Sequence, residues 1–76
     1  MKFDYYFYEF CDKNNYTGRI GYDTVEDEYS IIISKDDNNA GLFLSKEELM
    51  ELSNQQIKNL LNMLHIGFMD KFHSGV

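Results

Sequence analysis

Along the first half of the chain, hydrophobic and polar positions alternate, whereas the second half shows the three- and four-residue spacing of a helix. In residues 2–10, Phe3, Tyr5 and Phe7 alternate with polar or amphipathic neighbours. Because Phe and Tyr are enriched in strands, this alternation predicts a first strand. Residues 12–15 are Asp, Lys and two Asn, and Asn and Asp tolerate left-handed backbone conformations. These four residues are therefore predicted to form a turn.

Further strands are predicted after this turn. Residues 16–22 alternate in the same way and predict a second strand, although two glycines weaken it. Residues 28–34, with three consecutive isoleucines at their centre, predict the clearest strand of the chain. Residues 36–41 are typical of a turn, and residues 42–44 predict a short fourth strand. Because the connections are short, the strands are expected to pair antiparallel.

The C-terminal part of the chain has the signals of a helix. Ser45 precedes Glu48 by three residues, which is the spacing of a capping box, and Ser53 and Gln56 repeat it. The segment is therefore either one helix kinked near Ser53 or two short helices. Gly67 is a candidate for the C-terminal stop. The apolar residues at helical spacing are expected to pack on the sheet: Ile57, Leu60, Leu61, Leu64 and Phe68, preceded by Leu49 and Leu52.

Together these elements predict a single α+β domain spanning residues 1–76. A small antiparallel sheet of three to four strands is covered by one C-terminal helix, which is kinked or split near Ser53. The most apolar stretch, residues 60–69, is far shorter than the roughly 20 residues of a membrane span. The single cysteine, Cys11, cannot form an intrachain disulfide, and no secretory signal is recognised. These features, with a composition typical of an AT-rich bacterial or phage genome, predict a cytoplasmic protein of a bacterial host.

Charge is unevenly distributed along the chain. Thirteen acidic and seven basic residues give a formal net charge of −6, and all of the acidic excess lies before residue 52. Direct binding of nucleic acid or of an anionic membrane needs cationic patches, so neither is expected. A basic protein is the expected partner. The alternative is that the acidity serves only to keep a small protein in solution.

One segment has the outline of a calcium loop. Asp36, Asn38, Gly41 and Glu47 occupy loop positions 1, 3, 6 and 12. Position 5, however, is Ala40, which has no oxygen ligand in its side chain, and a strand rather than a helix is predicted before the loop. No metal site is therefore predicted there.

No catalytic site and no cofactor are predicted elsewhere. Cys11, His65 and His73 do not follow any known metal-ligand spacing, and a Cys–His nucleophile would need a third orienting group. The carboxylates lie in predicted turns and at a helix start, where water keeps them ionised, and not in an apolar pocket that would raise a pKa. The protein is therefore expected not to be an enzyme.

The aromatic residues exceed what one face of a small sheet buries. Six Tyr and six Phe make up 16% of the chain. On the predicted first strand, Tyr6, Tyr8 and Phe10 fall on the face opposite to the other aromatic residues. Tyr is enriched at protein interfaces. These three residues therefore predict a homodimer interface.

The acidic residues around the third predicted strand are the candidate partner-binding site. A short, strongly acidic chain with strands first and a helix last resembles the small phage-encoded DNA-mimic inhibitors, which block DNA-binding proteins such as the nucleoid protein HU or uracil-DNA glycosylase. The resemblance is one of charge and layout, and the largely uncharged segment from Leu52 onward departs from it. It implies a non-enzymatic inhibitor whose acids stand in for phosphates: Asp23, Glu26, Asp27, Glu28, Asp36 and Asp37.

Two other functions are compatible with the same sequence. An immunity or antitoxin-like protein would neutralise a basic toxin with similar electrostatics. A small structural or regulatory subunit would need no acidic binding site.

Overall fold

A computed structural model describes residues 2–73 as two layers, a three-stranded sheet and a set of helices. The sheet is antiparallel, its strands are adjacent in chain order, and the C-terminal helix packs on it. The predicted α+β class is therefore confirmed. The elements in chain order are α1 (Lys2–Asn14), β1 (Thr17–Asp23), β2 (Glu28–Lys35), β3 (Asn38–Ser45), α2 (Lys46–Glu51) and α3 (Asn54–His73).

The predicted first strand is wrong, because residues 2–10 belong to helix α1. Phe3, Phe7 and Cys11 are spaced four residues apart, so a helix places all three on one face. That face is in the core, where the three side chains are at most 3% exposed. The segment satisfies strand alternation and helical spacing at once. The helix brings Cys11 into the apolar face together with the two Phe rings.

The predicted turn at residues 12–15 is the C-terminal cap of α1. Asn15 adopts a positive φ of 60°, the left-handed conformation common just after a helix. The Tyr16 backbone N–H donates to the Cys11 carbonyl at 2.8 Å, and the Asn15 N–H donates to the Asp12 carbonyl at 3.4 Å. These two bonds form a Schellman motif. The cap turns the chain into β1 and places Tyr16 against the core.

The β2–β3 connection is tighter than the sequence suggested. Asp36 and Asp37 both have positive φ values, 52° and 67°, and Lys35 pairs with Asn38. A two-residue loop with two positive φ values is typical of a type I′ hairpin turn. As a result β3 begins at Asn38, four residues before the predicted fourth strand.

The predicted capping boxes divide the C-terminal region into two helices. The Ser53 hydroxyl accepts from the Gln56 N–H at 3.2 Å, and the Ser53 N–H donates to the Gln56 side-chain oxygen at 2.8 Å. The split near Ser53 is thus the alternative that the structure adopts. The predicted stop at Gly67 is wrong, since α3 continues to His73. Phe72 extends the apolar face beyond Gly67 and packs on Phe68, with ring centroids 4.8 Å apart.

The core lies between the helices and one face of the sheet. Ile31 and Ile33 on β2 are fully buried on this face, whereas Ile32 points to the opposite face. The helices meet the sheet from the Ile31 side, with α1 against β1 and α3 against β3. The opposite face, called here the outer face, carries the exposed Phe43. The buried residues are Phe3, Phe7, Cys11, Tyr16, Ile31, Ile33, Leu49, Ile57, Leu61, Leu64 and Phe68.

Candidate functional site

The structure divides the six predicted partner-binding acids into two groups. Residues 23–28, which contain four of them, form one end of the β1–β2 hairpin, while Asp36 and Asp37 form the β2–β3 turn. These turns lie at opposite ends of β2. Because β2 has eight residues and a strand rises about 3.3 Å per residue, about 25 Å separates the groups.

Two of the carboxylates in the first group hold their own loop together. Asp23 accepts hydrogen bonds from the backbone N–H groups of Val25, at 2.9 Å, and Glu26, at 3.3 Å. Asp27, which has a positive φ of 53°, accepts from the Tyr22 hydroxyl. This hydrogen bond to Asp27 raises the Tyr22 pKa above its ordinary value, because the carboxylate stabilises the protonated phenol. The loop is therefore ordered by the acids that also give it negative charge.

The first turn of α2 adds two more acids to this end of the sheet. The Lys46 backbone N–H donates to the Asp27 carbonyl at 3.0 Å, and Ser45 pairs with Glu28 across β2 and β3. Glu47 and Glu48 are consequently brought beside the β1–β2 loop. We call this surface the acidic end: Asp23, Glu26, Asp27, Glu28, Glu47 and Glu48.

Glu48 has a structural as well as an electrostatic role. Its carboxylate accepts from the Ser45 N–H at 3.0 Å, and its own N–H donates to the Ser45 hydroxyl at 3.1 Å. These interactions form the predicted capping box, which is confirmed. The hydrogen bonds from Ser45 lower the pKa of Glu48, since they stabilise the ionised carboxylate. Glu48 therefore fixes the start of α2 against the hairpin and stays charged at neutral pH.

Glu47 and Glu48 were not among the predicted binding residues. A signal for their position exists in the sequence, because a two-residue turn at Asp36 and Asp37 sets the pairing of β2 with β3. That pairing places Ser45 opposite Glu28. The capping box at Ser45 then starts a helix at the same edge.

An exposed aromatic side chain adjoins the acidic end on the outer face of the sheet. Phe43 is 69% exposed. Together with Asp23, Glu28 and Ser30 it lines a shallow depression of about 300 Å³. Gly21 contributes to the same depression and leaves its surface open, because it has no side chain. Carboxylates and an accessible apolar ring therefore share one surface.

The predicted dimer residues do not share one face. In α1, Tyr6 and Phe10 are one turn apart, half-buried, and packed against the core, whereas Tyr8 is 49% exposed. The strand alternation from which the interface was inferred is wrong. The homodimer itself stays a prediction, and Tyr8 is the most accessible of the three residues.

Among the described side chains, Cys11 and His65 do not form part of a recognisable reactive centre. Cys11 is 3% exposed, and burial raises its pKa to about 11, so its thiol is protonated and unreactive at neutral pH. The Nδ1 atom of His65 lies 2.8 Å from the Tyr16 hydroxyl. The side chain of His73 lies outside the described part of the chain. Within the described residues, no three His, Cys, Asp or Glu side chains are grouped as metal ligands.

The segment with the outline of a calcium loop is not a loop. Asp36 and Asp37 form the hairpin turn, residues 38–45 form β3, and Glu47 lies in α2. An extended strand carries the intervening residues away from Asp36. These positions are therefore not arranged around a common centre.

Comparisons with known proteins give no relative for this chain. No family model, no curated protein and no solved structure matches it. Between residues 2 and 73, no helix combines the length and apolar character needed to cross a membrane.

Proposed function

We propose that this protein is a non-enzymatic inhibitor that binds a basic, nucleic-acid-binding surface of another protein through its acidic end. The observation that carries this proposal is the acidic end itself, where acids of a hairpin adjoin those of α2 and two of them, Asp23 and Glu28, lie beside the exposed ring of Phe43. Carboxylates attract a basic partner at long range and select against acidic ones. An aromatic side chain supplies apolar contact area once the surfaces meet.

The spacing of the acids supports a partner whose basic surface normally binds a nucleic acid. Asp23 and Glu28 are paired across β1 and β2, where opposed side chains have Cβ atoms about 5 Å apart. Duplex DNA carries one charge about every 3.4 Å along each strand. The spacing of this one pair is thus of the same order as the spacing of phosphate charges along a DNA strand. Asp36 and Asp37 would contribute to binding only if the basic surface of the partner spans the roughly 25 Å between the two ends of β2.

The proposed partner is a basic DNA-binding protein in the cytoplasm of a bacterial cell. The acidic end has little attraction for nucleic acid or for an anionic membrane, because both carry charge of the same sign. The free, buried thiol of Cys11 is compatible with the reducing conditions of a cytoplasm.

Capture from a bacterial lysate tests the proposed function. The chain is immobilised, bound proteins are eluted with a salt gradient, and the main captured protein is then purified. We expect it to bind the chain less tightly as salt rises and to be displaced by duplex DNA, because one basic site cannot hold both. A partner that binds DNA and this chain at the same time, each with full affinity, would exclude DNA mimicry.

A triple variant locates the binding surface. Glu26→Gln, Glu28→Gln and Glu47→Gln remove charge but leave Asp23 and Asp27, which order the loop. Exposed ion pairs contribute about 0.2–1 kcal/mol each, so the loss of three should lower affinity by between about threefold and about 150-fold.

The matched control carries the same change in net charge away from the acidic end. It combines Asp12→Asn with Asp36→Asn and Asp37→Asn, and Asn is well tolerated at the positive φ of the hairpin turn. We expect its affinity to stay within about twofold of the unmodified chain. Equal losses in both variants would show that total charge, rather than the acidic end, governs binding. If the captured protein is a toxin that DNA does not displace, the chain is an immunity protein instead.

A further inference from the structure

A groove of about 400 Å³ runs between α1 and α3, in the helical layer on the side of the sheet opposite to the outer face. Its floor is apolar and aromatic. Leu61 is buried there, and Phe10 and His65 are half-buried, with their rings edge-to-face at 6.2 Å between centroids. This volume lies within the range of small-molecule sites, which combine apolar and aromatic side chains with a few polar groups.

The rim of the groove is positively charged, although the chain as a whole is strongly acidic. Lys13 on α1 and Lys58 on α3 are both exposed at the rim, and among the described lining residues Glu9 is the one acid. The Lys58 ammonium lies 5.7 Å from the centroid of the Tyr6 ring. A cation over an aromatic face is attracted by the ring, so this contact keeps Lys58 beside the opening.

The floor of the groove is held in place from below. The Tyr16 hydroxyl and His65 Nδ1 are 2.8 Å apart, which restricts the orientation of the imidazole. A third lysine, Lys35, lies at the same end of the molecule, with its ammonium 5.6 Å from the centroid of the Tyr16 ring and 3.4 Å from the Asn14 carbonyl oxygen. The aromatic floor is therefore ordered without a ligand, which reduces the entropic cost of binding one.

We infer that this groove binds a small organic anion with a flat aromatic body. The body lies on Phe10, Leu61 and His65, and the anionic group lies at the rim between Lys13 and Lys58. An aromatic ring suits this floor because aromatic pairs favour edge-to-face and offset arrangements. A single anionic group suits the rim because its two lysines and one carboxylate leave one net positive charge. The groove is separate from the acidic end, so this site is independent of the proposed function.

Fluorescence titration with 8-anilinonaphthalene-1-sulfonate tests the inference, since this probe combines aromatic rings with one anionic group. N-phenyl-1-naphthylamine, the same ring system without the sulfonate, is the matched probe. We expect the sulfonate to bind about three- to tenfold more tightly than the uncharged probe, a ratio within the range of two exposed charge contacts. In ¹⁵N–¹H spectra, the largest chemical-shift changes on adding the sulfonate probe should be at the backbone amides of Phe10, Leu61 and His65. Equal affinity for both probes, or shifts centred on Phe43, would overturn the inference.

Charge variants supply the second measurement. Lys13→Gln with Lys58→Gln should weaken binding of the sulfonate probe by about three- to tenfold, whereas Lys2→Gln with Lys46→Gln, an equal charge change outside the groove, should leave it within about twofold. Removing the acid of the rim by Glu9→Gln should strengthen binding. All these residues are exposed, so circular dichroism is expected to show an unchanged fold. If the two lysine pairs have the same effect, the rim does not bind the anion.

Discussion

The Tyr16 hydroxyl lies 2.8 Å from Nδ1 of His65, a residue 49 positions later in the chain. Tyr16 follows the cap of α1, and His65 lies in the middle of α3. The Tyr16 ring also packs against Phe10, at 5.7 Å between centroids, and Phe68, at 5.0 Å. This pair is therefore a polar link inside an aromatic cluster, and it joins the two long helices where β1 begins.

Replacing Tyr16 with Phe removes that link but keeps the ring. We expect the free energy of unfolding to fall by about 0.5–1.5 kcal/mol, the usual contribution of one hydrogen bond. Urea denaturation followed by circular dichroism measures the change. Tyr8→Phe is the control, because the Tyr8 side chain is 49% exposed. Identical urea midpoints for the two variants would show that the Tyr16–His65 hydrogen bond does not stabilise the fold.

Two glycines with different surroundings should respond in opposite ways to substitution by Ala. A Cβ on Gly18 would lie 2.5 Å from the Cys11 sulfur and 2.7 Å from a Phe7 ring carbon, whereas nothing lies within 4 Å of one on Gly67. Gly18→Ala should destabilise the protein by about 1–3 kcal/mol, the range for overpacking a core. Gly67→Ala should stabilise it by up to about 1 kcal/mol, since Ala is the better helix former. Thermal denaturation of the two variants tests both signs, and a stable Gly18→Ala variant would contradict the close approach of α1 to β1.

Two neighbouring residues of α3, one on its apolar face and one outside it, should contribute unequally to stability. Leu64 is 8% exposed and Met63, its neighbour, is 69% exposed. Leu64→Ala should cost about 2–5 kcal/mol through lost burial and the cavity left behind. Met63→Ala should stay within about 0.5 kcal/mol, as for most exposed positions. Urea midpoints provide the comparison, and a large loss at Met63 with none at Leu64 would mean that α3 is rotated about its axis.

Stability should decline in alkaline solution. Burial raises the Cys11 pKa from 9.0 to about 11, and burial, followed by the nearby Cys11 charge, raises the pKa of Tyr16. A raised pKa means that the unfolded chain loses its proton first. The contribution of Cys11 is therefore complete below pH 9 and disappears as the pH rises to about 11.

Chemical denaturation at a series of pH values between 7 and 11 measures this decline. Cys11→Ala lacks the titrating thiol, so its free energy of unfolding should fall less steeply above pH 9 than that of the unmodified chain. Parallel curves for the two proteins would show that the thiol does not titrate differently on folding. In a separate measurement at pH 8, a thiol reagent should modify native Cys11 far more slowly than the unfolded chain.

Several elements could be predicted because the interactions that form them involve residues close together in the sequence. The capping boxes at Ser45 and Ser53 satisfy backbone groups three residues away, and they set where α2 and α3 begin. The isoleucines at the centre of β2 suit a pleated, half-buried surface and therefore favour a strand. Asn15 was expected to tolerate a left-handed conformation, and it has a positive φ.

The N-terminal segment could not be assigned in this way. Phe3 and Phe7 fit a strand that alternates and a helix that repeats every four residues, so local preference did not decide between them. Cys11, four residues beyond Phe7, fits both patterns as well. Contact with β1 decides the outcome, because the approach of Gly18 to Phe7 and Cys11 requires all these side chains on one face of α1.

The candidate sites were determined only in part by the sequence. Their charge and residue types were evident, including the acids of residues 23–28 and the absence of a recognisable catalytic motif. The pairing of the strands placed Asp36 and Asp37 away from that group and brought the acids at the start of α2 next to it. Packing of α1 beside α3 brought Lys13 near Lys58, although they are far apart in the chain. Local sequence determines which groups are charged and where the capped helices α2 and α3 begin. Only the folded chain sets the distances between charges, and electrostatic attraction depends on those distances.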